Sequence, residues 1–112
     1  MTIRANTWYR VGAARQFCFV QKIPSSTDPR ISVPTANENT RGFEFALTWF
    51  TPTDEGLGGW TKRVMILSVK KAAALFREPD GEDAHVIEAI KAIQHSIPVS
   101  SASRDGEFTL PQ

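Results

Sequence analysis

The sequence predicts an α+β fold: a four-stranded antiparallel sheet followed by one or two C-terminal helices. Three observations carry this. First, residues 43–50 and 60–67 are apolar runs with a period of two, joined by the Gly-rich segment TPTDEGLGG, so they read as a hairpin. Second, Ser68 follows the hairpin directly and is a good N-cap for the run VKKAAALFRE. Third, Val86, Ala89, Ile90, Ile93 and Ile97 recur at helical spacing between a Pro-Asp-Gly breaker and Pro98.

Taken in order, the first strand falls around Trp8 to Val11, with Gly12 as the turn after it. RQFCFVQKI, residues 15–23, is rich in β-formers and reads as the second strand. Arg15, Phe17, Phe19 and Gln21 belong to one side of it, and Gln16, Cys18, Val20 and Lys22 to the other. Pro24 ends that strand; a brief strand is expected at Arg30–Val33, limited by Pro34. In the hairpin, Phe43, Phe45, Leu47 and Trp49 share one face and Glu44, Ala46, Thr48 and Phe50 the other. The first helix starts near Val69, with Val69, Ala72, Ala73 and Phe76 on its apolar stripe. The second runs from about Asp83 to His95, with Glu82 and Asp83 where the helix dipole favours negative charge. Val86, Ala89, Ile90 and Ile93 are expected to pack it on the sheet or on another subunit. Residues 1–97 are read as one domain and 98–112 as a flexible tail.

Composition narrows the function classes. The chain has 112 residues, 41% hydrophobic and 22% charged, so neither a disordered chain nor a membrane protein is expected. The opening MTIRANTWYR has no apolar core of signal-peptide length, and a cytoplasmic location is expected. Net charge is +1, unevenly spread. Arg4, Arg10, Arg15, Lys22 and Arg30 face only Asp28 in the first part, whereas the last third is acidic.

Catalytic and metal chemistry find no motif. His85 and His95 stand ten residues apart, too far along one helix to share a metal ion, and Cys18 has no second cysteine. GLGG lacks the Lys-Ser/Thr ending of a phosphate loop and reads as the hairpin turn. No pair of carboxylates is placed for hydrolysis. The expectation is a protein with no enzyme activity, no cofactor and no metal.

What remains is rings beside cations on predicted strands. Phe17 and Phe19 lie between Arg15 and Lys22, Arg41 precedes Phe43, and Trp60 precedes Lys62 and Arg63. Single-stranded nucleic acids are bound by this mixture, because cations track the phosphates and flat rings stack on unpaired bases. The competing reading makes the rings core and the cations ordinary surface; Trp49 and Trp60, near the hairpin ends, suit either.

The run from FALTWFTP through the Gly-containing turn to WTKRVMILSVKKAAALF resembles the single-stranded-DNA-binding domains of the PC4 and Whirly type. PUR domains are a more distant relation. That resemblance covers about a third of the chain. It implies a curved four-stranded antiparallel sheet followed by a helix, assembled into a homo-oligomer such as a dimer. It also implies phosphate contacts from Lys62 and Arg63 and stacking or packing by Trp60. The family's basic motif in the first strands has no counterpart here beyond Arg15, Phe17, Phe19 and Lys22 as candidates. The expected partner is single-stranded DNA or RNA. Two alternatives stand beside it: a small protein-binding adaptor or inhibitor using the acidic C-terminal half, and a self-assembling coat-like subunit.

Overall fold

A computed structural model describes residues 2–12, 15–23, 43–53, 59–66, 68–97 and 99–104. Strands β1 (Thr7–Val11), β2 (Phe17–Lys22), β3 (Phe45–Pro52) and β4 (Trp60–Ile66) form an antiparallel meander. Helix α1 (Val69–Leu75) follows, then the two-residue strand β5 (Phe76–Arg77), helix α2 (Gly81–Ile93), a 3₁₀ turn (Gln94–Ser96) and β6 (Val99–Arg104). In space the strands run β5-β1-β2-β3-β4-β6. All neighbours pair antiparallel except β4 and β6, which are parallel. The fold is therefore α+β, with an antiparallel sheet as its body.

The hairpin is as the alternation predicts. β3 and β4 pair from Ala46↔Ile66 to Pro52↔Trp60, and the Thr53 amide donates to the Gly59 carbonyl at 2.7 Å to close the ladder. Gly59 takes φ +84°, a backbone region that side chains disfavour. Ser68 caps α1: its Oγ accepts from the Lys71 amide at 3.2 Å. That helix ends sooner than its composition suggests. Phe76 is already extended and pairs with Val11, so it enters the core from a strand and not from a helix stripe.

Helix α2 begins two residues earlier than expected, because Asp80 is its N-cap. The Asp80 and Asp83 side chains each accept from the other's backbone amide, at 2.9 and 3.0 Å. This reciprocal box satisfies two amides that a helix start leaves without partners. Ile87, Ile90 and Ile97 are buried, and Val86 and Ile93 are half-buried. Ala89, expected on the packing stripe, is exposed; the stripe is rotated so that Ile87 takes its place.

Pleating puts cross-strand partners on the same face. Tyr9, Cys18 and Trp49, with Val20, Leu47 and Met65, form one core with Ala72 and Phe76. Phe17 and Phe50 form a second core with Ile87, Ile90 and Ile97. The sheet therefore carries α1 on one face and α2 on the other. Cys18 sits in the first core, where burial pushes its thiol well above its ordinary pKa.

Val99–Arg104 differs from the tail expected there: it is a strand alongside β4. Its sequence VSSASR has no apolar alternation to announce it, and the pairing satisfies backbone groups of an otherwise open β4 edge. The strand expected at Arg30–Val33, most of the Gly-rich turn and residues 105–112 lie outside the described residues.

Candidate nucleic-acid interface

The proposed contact residues do not share one surface. Arg63 lies opposite Trp49 and Lys22 opposite Phe45, so both belong to the α1 face. Phe17, Phe19, Trp60 and Lys62 belong to the α2 face by the same register argument. Arg15, exposed just before β2, reaches the same side and lines a cleft at the start of α2. Arg41 lies outside the described residues.

The α2 face is built in rows across the strands. One row reads Arg10–Phe17–Phe50–Lys62, a cation at each end of two rings. The next reads Trp8–Phe19–Thr48–Val64. Helix α2 covers the first row. Phe17 is fully buried, which corrects its expected role as an accessible stacking ring. Lys62 is 7% exposed, and its Nζ donates to the Gln94 carbonyl at 2.8 Å, so its ammonium is committed to the end of α2. That corrects its expected role as an open phosphate contact. Burial also lowers its pKa, because the charged form loses water.

At the other end of the row, Arg10 Nη1 meets Asp83 Oδ1 at 3.2 Å and Oδ2 at 3.5 Å, with Asp80 at 4.0 Å. Asp83 thus caps α2 and ties it to β1 at once. The second row stays partly open. Trp8 and Phe19 are half-buried, with ring centroids 5.1 Å apart and planes at 38°. Trp8 also stacks on Phe50 at 5.5 Å and 29°. Trp60 is half-buried, edge-on to Phe17 at 6.1 Å. Trp8 and Arg10 were not among the sequence candidates. Their signal was their spacing: two apart on a strand that pairs with β2 places them on the face of Phe17 and Phe19.

Lys62→Met is expected to change the unfolding free energy by less than about 1 kcal/mol, because relief of the buried charge offsets the lost hydrogen bond. Its pH dependence carries the sign. With its folded pKa lowered, the charged form weakens the fold at neutral pH, and that penalty lifts as pH rises towards the ordinary 10.5. Urea denaturation of the variant checks this; a loss above about 2 kcal/mol would mean the Gln94 contact is needed to hold α2.

Among the described residues no group of three His, Cys, Asp or Glu side chains is placed to hold a metal ion. Nor, among them, is any helix long and apolar enough to cross a membrane. Compared with protein-family models, curated proteins and solved structures, the chain matches none.

Proposed function

We propose that this chain is a non-catalytic protein that binds single-stranded DNA or RNA on the α2 side of its sheet. The observation that carries the reading is the clustering of the half-buried rings Trp8, Phe19 and Trp60 with Arg10 and Arg15 on one face. Trp8 and Phe19 supply the accessible rings and Arg15 the exposed cation. In this reading the meander β1–β4, running straight into α1, corresponds to the PC4 and Whirly unit. Assembly into a cytoplasmic homo-oligomer goes with it.

Fluorescence anisotropy with labelled oligo(dT) and oligo(U) at low salt tests the reading. Binding should weaken steeply as salt rises, because phosphate contacts release counterions. Phe19→Ala and Arg15→Ala should each weaken it, the ring by about 1–3 kcal/mol. Circular dichroism checks that each variant is folded. Flat titrations with both oligonucleotides would dispose of the proposal.

A second reading rests on a different observation. Helix α2 exposes the carboxylates of Glu82 and Glu88, which suit a basic protein partner. Light scattering separates the readings: a discrete dimer or tetramer favours nucleic-acid binding, a monomer the adaptor, and large shells a coat-like subunit.

A further inference from the structure

The acidic first turn of α2 lies against the two arginines that best suit a phosphate. Arg10 and Arg15 form one side of a cleft of about 170 Å³, and Glu82, Asp83 and Val86 the other. Arg10 holds Asp83 through both carboxylate oxygens, with the Asp80 carboxylate behind. Arg15 is exposed and Glu82 is exposed. A guanidinium accepts a carboxylate or a phosphate in the same forked geometry. Trp8 stands two residues from Arg10 on the same face, about 7 Å along the strand, within reach of one nucleotide.

We propose that residues 80–83 act as an internal stand-in for the phosphates of a bound strand, so that docking of the first turn of α2 and binding of a nucleic acid at Arg10 and Arg15 exclude one another. This rests on the nucleic-acid reading above and adds its regulation. Opening needs only the first turn to lift. Ile90 and Ile97, fully buried further along, keep the remainder of the helix and its continuation on the sheet. The first turn is held to the sheet by the Arg10–Asp83 pair and, just after it, by the half-buried Val86, while Glu82, Ala84 and His85 are exposed. Lifting it breaks the Arg10–Asp83 pair, a cost that a phosphate contact at Arg10 offsets. An entering phosphodiester takes Arg10 from Asp83, and the freed carboxylates leave with the turn.

The test is anisotropy with fluorescein-labelled oligo(dT) on the full chain, with hydrogen exchange followed at the amides of residues 81–86. Asp83→Asn and Glu82→Gln should each bind about three- to tenfold tighter than the native chain, the value of one charge contact. Glu88→Gln removes an equal charge from the same helix but pairs with Lys91, away from the arginines, and should bind as the native chain does. Saturating oligonucleotide should accelerate exchange at 81–86. If Asp83→Asn proves unstable, Glu82→Gln, at an exposed position, carries the comparison. Native chain and both first-turn variants binding equally would overturn the proposal while leaving the nucleic-acid reading intact. So would an equal gain from Glu88→Gln, or unchanged protection at 81–86. Absence of binding by every protein would remove both.

Discussion

Asp83→Ala is expected to destabilise the fold by about 3 kcal/mol, a large part of the 5–15 kcal/mol that a domain of this size has. Two losses combine. Asp83 is nearly buried, and its carboxylate neutralises Arg10, whose side chain is only 20% exposed. Removing one partner of such a pair leaves the other charge desolvated, which in a full interior costs about 3–5 kcal/mol. Partial exposure and the remaining Asp80 at 4.0 Å reduce that figure here. The second loss is the bond that Asp83 accepts from the Asp80 amide, part of a cap worth about 1 kcal/mol. The midpoint of thermal unfolding should fall by about 10–20 °C. Arg10→Met combined with Asp83→Leu should recover much of this, because an apolar pair replaces a buried ion pair at little cost. A single-variant loss under 1 kcal/mol would show that α2 is held by its isoleucines alone.

The same cap gives an acid dependence with a definite sign. The Asp80 carboxyl is held below its ordinary 3.8, first by the Asp83 amide and further by the Glu82 amide and the charges of Arg10 and Arg77. A carboxyl with a depressed folded pKa contributes stability above its unfolded pKa and loses it as pH falls through the folded value. Thermal midpoints should therefore drop below about pH 4, and Asp80→Asn should flatten that drop.

The β3–β4 hairpin was legible because both strands alternate cleanly and the residues between them favour a turn. Ser68 announced α1 for a similar reason: its side chain satisfies an amide next to a stripe of apolar residues. The phase of α2 was less legible. Val86 and Ile87 are both apolar, and only docking decides that Ile87 is buried and Ala89 exposed. β5 is two residues long and β6 is polar, so their pairing depends on partners distant in sequence. The site shows the same division. Period two assigns Phe17, Phe19, Trp60 and Lys62 to one face and Lys22 and Arg63 to the other, once register is known. It says nothing of which face a later helix will cover. Phe17 and Lys62 looked available because α2 lies more than thirty residues downstream of the hairpin's start, and its landing place is a tertiary fact.

Trp49→Ala is expected to cost about 3–5 kcal/mol from lost packing alone, enough to leave little folded protein. Trp49 is 1% exposed at the centre of the core beneath α1, edge-on to Phe76 at 6.0 Å. Its Nε1 donates to Gln16 Oε1 at 2.6 Å, a buried side-chain pair. Shortening the ring system therefore opens a cavity and strands a buried amide oxygen, which costs about 1–3 kcal/mol more. Trp49→Phe separates the two terms, since it keeps most of the ring but removes the donor. Trp49→Phe should lose about 2 kcal/mol, and adding Gln16→Leu should restore about 1 kcal/mol of it, because no polar group is then left without a partner in that pair. Guanidinium denaturation of the single and double variants measures the difference. If Gln16→Leu deepens the loss in the Phe background, the amide has a second task, and Gln16 holds the β1–β2 turn through more than its carbonyl, which accepts from the Val11 amide at 3.0 Å. Either result bears on function, because Trp49 shares β3 with Phe50, whose ring supports Trp8 on the opposite face. On the nucleic-acid reading, a sheet that loses Trp49 no longer holds the half-buried Trp8–Phe19 pair in place, so oligonucleotide binding and the thermal midpoint should fall together in this variant, whereas Arg15→Ala should lower binding alone.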